Sequence, residues 1–230
     1  MALTDQRYTV LQIINEVRRK NKLSPIATID ADSYGISLLN YLNDCVAEIS
    51  DYGNWQETLQ EVLVTAQSSV ANYSLPSSVV VQNVHEVAYA NRSAELRKIS
   101  FDDIRRLQRL SSYGEPNQWA VKGVDANGNP IITVYPVPNS TQAGNTFNIL
   151  YFQKPPFYTT AQATTIPPFP GRLLVQALHV KSVLDESDGE PTSRYQSEYA
   201  VYNEMLRETY NRYNGDTGST VYFRPGNGRR

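Results

Sequence analysis

The hydrophobic period of this chain changes twice, and that double change constrains the fold more than any single motif. Near the start, apolar residues recur at helical spacing; through the middle they alternate or run in β-branched blocks; near the end the helical spacing returns. A chain of this kind is α+β with its strands gathered in one stretch, and the flanking helices need each other to seal a core.

From Thr4 to Lys20 the stripe is Val10, Ile13, Ile14 and Val17, with Asp5 near the start and Arg18, Arg19 and Lys20 in the last turn, as the helix dipole favours. The segment LSPIATID is a proline-bearing connection. Asp30 or Asp32 then caps a second helix with a buried face of Leu38, Leu42, Cys45, Val46 and Ile49, ending near Asp51-Tyr52-Gly53.

After Trp55, the stretches TLQEVLVTA and SVVVQNVHEVAYA read as strands, separated by Tyr73-Ser74-Leu75-Pro76. Ser100, with Asp103 three residues on, caps a short helix carrying Phe101, Ile104, Leu107 and Leu110. QWAVKGV and IITVYPV flank Asp125-Ala126-Asn127-Gly128-Asn129-Pro130, whose turn formers predict a β-hairpin. Phe147, Ile149 and Tyr151 alternate on a further strand.

Five prolines between Pro155 and Pro170 predict an extended crossing segment. Helical spacing resumes with Leu173, Leu174, Ala177, Leu178, Val183 and Leu184, ending at Asp188-Gly189. Tyr195, Tyr199, Tyr202, Met205 or Leu206, Tyr210 and Tyr213 follow, with Glu208 and Arg212 spaced for an i,i+4 pair. This stripe reads first as a packing face with hydroxyls at its rim. The chain divides accordingly into a helical part (1–56 and 165–214), an inserted antiparallel β-sandwich or barrel-like unit (57–164), and an extended C-terminal arm (215–230). Four helices, two from each end, form a bundle.

The arm, GDTGSTVYFRPGNGRR, has no periodic face of its own. It reads either as a disordered end or as a segment that gains order by adding a strand, Thr220–Phe223, to a neighbouring subunit or partner.

Composition narrows the function classes. With 21 basic and 23 acidic residues the net charge is −2, which argues against general binding to phosphate backbones. The one cysteine, Cys45, sits on an apolar helical stripe and reads as core. With only His85 and His179 to help, a zinc site is not expected. No G-x-S-x-G, phosphate loop or acid pair is present, and both histidines read as structural. Asp125-x-Asn127-x-Asn129 begins like a calcium loop, but Pro130 stands where Gly is needed and Pro136 where the bidentate Glu is needed. No apolar run reaches a membrane span and the first residues lack a signal core, so synthesis in the cytosol is the expectation. On that basis the Asn-x-Ser/Thr matches at Asn72, Asn91 and Asn139 are chance. Sixteen tyrosines against six phenylalanines stand out, since tyrosine suits half-buried boundaries. A ligand-binding β module would use such rings differently, with Trp119, Tyr135 or Tyr151 exposed as carbohydrate-stacking platforms.

The order of parts carries a resemblance. NYLNDCVAEISDYGNWQ leads into the first strand; then come N-Y-S-L-P, RSAELRKISFDDIRRL, a strand ending V-Y-P-V-P, I-L-Y-F-Q-K-P, and an I-P-P-F-P entry into the third long helix. In that order, over residues 5 to 214, these resemble the head-to-tail adaptor proteins of tailed bacteriophages, of the tail tubular protein A type. The resemblance implies a non-enzymatic virion protein, without cofactor or metal, made in the bacterial host cytoplasm. It also implies a homo-oligomeric ring, usually of twelve, beneath the portal protein. DNA passes through the lumen without sequence-specific contact and no membrane is involved. The ring gives a platform for the tail nozzle and fibre. On this reading Tyr222, Phe223, Arg224, Arg229 and Arg230 contact the portal, while the loops at Asn127 and Gly128 and at Ser140 and Thr141 face the tail or neighbouring subunits.

Overall fold

The computed structural model describes residues 7–76, 84–89 and 95–214. Within them the chain forms two compact units, dividing at Gln56/Glu57 and at Pro156/Phe157.

The helical unit contains α1 (Val10–Lys20), α2 (Ser33–Tyr52), and, late in the chain, Gly171–Glu186 and Ser193–Asn214. Helix α1 starts at Val10 and not at Thr4, because Thr9 is extended and closes a capping box. Its hydroxyl accepts from Gln12 N at 3.2 Å, and Gln12 Oε1 accepts from Thr9 N at 2.8 Å. The next two free donors, Val10 N and Leu11 N, are taken by Thr165 O and Ala163 O. Of the two candidate caps for α2, Asp32 is the one used: its carboxylate accepts from Gly35 N at 2.7 Å. The α2 face of Leu38, Leu42, Cys45, Val46 and Ile49 is fully buried, and the helix ends at Tyr52 with Gly53 as its C-cap.

The β unit holds β1 (Leu59–Thr65), β2 (Asn72–Ser74), β3 (Val84–Tyr89), β4 (Arg97–Lys98), α3 (Phe101–Gln108), β5 (Gln118–Val124), β6 (Pro130–Tyr135) and β7 (Thr146–Phe152). They form two sheets, β1-β7-β3 and β2-β6-β5-β4. Pairing is antiparallel throughout except that β4 runs parallel to β5, a departure from the purely antiparallel unit expected. The alternation of Phe147, Ile149 and Tyr151 is as expected; all three are buried, in one core with Tyr73, Val87, Trp119, Ile132 and Val134 from both sheets. Helix α3, capped by Ser100, lies on β5 and β6 and buries Ile104, but it stops at Gln108, leaving Leu110 exposed.

The first and last strands of this unit pair, Leu59 opposite Phe152, and Gln153 N donates to Thr58 O at 2.7 Å. Entry and exit of the insertion therefore lie side by side, which is how a β unit is spliced into a helical chain without separating its two halves.

The chain returns to the helical unit at Phe157, earlier than the expected boundary at 165. Tyr158 is buried there, and Asn43 of α2 clamps its backbone in both directions: Asn43 Nδ2 donates to Tyr158 O at 2.9 Å and Tyr158 N donates to Asn43 Oδ1 at 2.7 Å. Past this clamp come α4 (Gly171–Glu186) and α5 (Ser193–Asn214). Helix α4 is apolar nearly all round and packs against α1, α2 and α5, so it is the central helix of the four. Trp55 seals one end of this core, its ring 5.2 Å from Phe169 and 5.4 Å from Tyr210, with Nε1 donating to Ile49 O at 2.7 Å.

Candidate assembly surfaces

The loop joining β5 to β6 is built by one carboxylate. Asp125 Oδ1 accepts from Asn127 N and Asn129 N, each at 2.9 Å, and Asp125 Oδ2 from Asn129 Nδ2 at 3.2 Å. These bonds, the backbone one from Asn129 first, hold the Asp125 carboxyl below its ordinary value. Gly128 closes the turn at a φ of +81°, the left-handed region where a side chain is strained. The result is the hairpin turn expected, with Asn127 and Gly128 exposed at its tip.

The second loop, between β6 and β7, is pinned from inside. Asn139 Oδ1 accepts from Thr141 N at 2.8 Å, Tyr89 OH donates to Gln142 O at 3.1 Å, and Gly144 N donates to Ala66 O at 3.0 Å. Ser140 and Thr141 are exposed above these anchors. The two loops sit at opposite ends of β6, one before Pro130 and one after Tyr135, so the structure does not bring them together. Each tip is tied down by hydrogen bonds within its loop or to the strands beneath it, which lowers the ordering cost of a contact.

Two of the three rings expected as exposed carbohydrate platforms are buried. Trp119 and Tyr151 lie in the β core, and Trp119 Nε1 donates to Leu96 O at 3.1 Å. Tyr135 is half-buried. His85, on the exposed side of β3, meets the Phe152 ring edge-on at 5.4 Å.

On α5 the tyrosine stripe splits. Tyr202 and Tyr210 are buried with Leu206, as a packing face requires. Tyr199 is 44% exposed and lies almost parallel to Tyr195, ring centroids 5.6 Å apart. A polar seam that periodicity missed crosses the same helices. Lys20 Nζ donates to Gln176 Oε1 at 2.7 Å, Gln176 Nε2 donates to Glu198 Oε2 at 2.8 Å, and buried His179 stands 3.8 Å from Glu198. Burial first, then the nearby Lys20 charge, pushes the His179 imidazole below its ordinary pKa. The available signal was Gln176 and His179, two polar residues one turn apart within the apolar run of α4. Cys45 is core, its thiol pushed up to about 12 by burial. Among the described residues no three metal-ligating side chains converge, and no helix is long and apolar enough to cross a membrane.

Tyr222, Phe223, Arg224, Arg229 and Arg230, named for the portal contact, lie outside the described residues. The family model of the SU10 adaptor protein matches residues 8–229. This chain belongs to the SU10 adaptor protein family. The match spans both compact units. No curated protein matches the sequence. As an SU10 adaptor the chain is a structural protein of a phage, placed in the virion neck among portal and tail proteins. The order of parts read from the sequence thus led to the right class, phage head-to-tail adaptors.

Proposed function

We propose that this SU10 adaptor forms a closed ring, of about twelve copies in the tail tubular protein A manner, that docks on the portal and extends the DNA channel toward the tail. The family match over residues 8–229 is the observation that carries this reading. In it the helical unit builds the ring and the arm, through Tyr222, Phe223, Arg224, Arg229 and Arg230, meets the portal. The tips at Asn127–Gly128 and Ser140–Thr141 face the nozzle protein, a tail fibre or a neighbouring copy. Because they lie at opposite ends of β6, the two tips serve different contacts. A net charge of −2 suits a lumen that DNA must slide through on ejection, since a strongly basic wall would hold phosphates. Synthesis takes place in the host cytoplasm, before assembly.

Electron microscopy of the protein mixed with its portal is the direct test. The expected result is ring density capping the portal, lost when residues 216–230 are deleted from a chain that still folds. Full-length protein that leaves the portal bare would overturn the proposal.

A further inference from the structure

A pocket of about 380 Å³ opens between α2, α4 and α5. Its floor is aliphatic, from Ala177, Val180 and Leu184, and its wall is aromatic, from Tyr195, Tyr199 and Tyr202. Tyr199, 44% exposed in this concave setting, stacks nearly parallel on half-buried Tyr195, with ring centroids 5.6 Å apart. At the rim Glu48 accepts from Lys181 Nζ at 2.5 Å, so the charges of these two lining side chains balance. Exposed Asp44, one turn back on α2 and outside the lining, adds an unbalanced carboxylate whose charge also acts on Lys181.

We infer that this pocket is the seat of the chain's own C-terminal arm, with Tyr222 and Phe223 entering the tyrosine-lined cleft and Arg224 meeting the Asp44 and Glu48 carboxylates at its α2 edge. Three observations converge on that occupant. The chemistry matches: two aromatic residues followed directly by an arginine fit an apolar floor, an aromatic wall and carboxylates at the edge. The charge matches, since residues 215–230 carry three arginines against one aspartate. The length matches as well. Helix α5 ends at Asn214 and rises about 1.5 Å per residue, which puts Tyr202 and Tyr199 about 18–22 Å back along it. The eight residues from Gly215 to Tyr222, extended, span about 26–29 Å, enough for that return and the reversal. Gly215 and Gly218 supply the conformational freedom for the turn. A seated arm is withheld from any other partner, so the pocket acts as a latch on the unassembled chain.

The test needs no portal, so its outcome is separate from that of the ring proposal. A benzophenone amino acid replaces Phe223 in the full-length chain, which is irradiated at low concentration and digested. The expected product is an intramolecular crosslink to a peptide containing Tyr195–Tyr202 or Asp44–Glu48. Its yield should fall about fivefold in Tyr199→Ser, whose ring is exposed, and in Asp44→Asn/Glu48→Gln. Circular dichroism checks that these variants fold. Crosslinks confined to other peptides, crosslinks only between chains, or yields indifferent to both variants would each overturn the assignment.

Discussion

Arg18, near the end of α1, pairs with Asp32, the residue that caps α2, through Nη2–Oδ2 at 2.9 Å and Nη1–Oδ1 at 3.0 Å. Arg18 is buried, and its Nε donates to Ser24 O at 2.8 Å, so one guanidinium ties the connection between the first two helices to both of them. The Gly35 backbone bond first, and the Arg18 pair next, hold the Asp32 carboxyl below its ordinary value.

That pairing predicts acid-sensitive stability. A carboxyl depressed in the folded state stabilises above its unfolded pKa of about 3.9, and the contribution is lost as pH falls through the lower folded value. Urea unfolding from pH 6 to 2.5 should show a drop in stability below about pH 4 that Asp32→Asn reduces. Asparagine still caps the helix, so Asp32→Ala should be the less stable of the two at pH 7.

The Asn43–Tyr158 clamp predicts a large cost for a small truncation. Asn43→Ala leaves a buried N–H and a buried C=O of Tyr158 without partners and should destabilise the helical unit by about 3 kcal/mol. Denaturant midpoints followed by circular dichroism would show it; a change below about 1 kcal/mol would mean water replaces the amide.

Cys45 should be chemically silent in the native protein. With its thiol near 12, the thiolate fraction at pH 8 is about one in 10⁴. Reaction with an aromatic disulfide reagent should run more than ~100-fold slower than after unfolding, following local opening. Prompt stoichiometric labelling at pH 8 would contradict its buried position.

His179 sets a second, milder pH response. Facing it are Lys20 of α1, Glu186 on its own helix, and Glu198 and Arg194 of α5. Its folded pKa is lowered, so between the unfolded value of about 6.5 and the folded one only the unfolded chain takes up the proton. Stability should decline as pH drops below about 6.5, and His179→Gln should flatten that decline. NMR titration of the imidazole gives the folded value directly, and a value at or above 6.5 would refute the account.

Much of the fold was legible. Period alone located α1, α2, α4 and α5, because each carries apolar residues at helical spacing; alternation located β7, and turn formers located the β5–β6 hairpin. Local chemistry named the Ser100 cap and the Asp125 turn, whose bonds span only a few residues. The helix start at Val10 was missed because it depends on Thr9 and on carbonyls of Thr165 and Ala163, far along the chain. The parallel β4–β5 pairing was invisible because β4 is only two residues long, and the burial of Trp119 was invisible because it depends on what covers that face of β5.

Amino-acid order alone was enough for the class of protein: an α+β chain with a β insertion and the part order of a phage adaptor. It also supplied the tyrosine stripe of α5, but not its division. That division was decided by the tertiary structure. Tyr202 and Tyr210 meet the buried faces of neighbouring helices, while Tyr199 falls one turn outside their reach and faces an open pocket. Helical spacing places residues on a common face, but how much of that face is covered depends on where distant helices cross it.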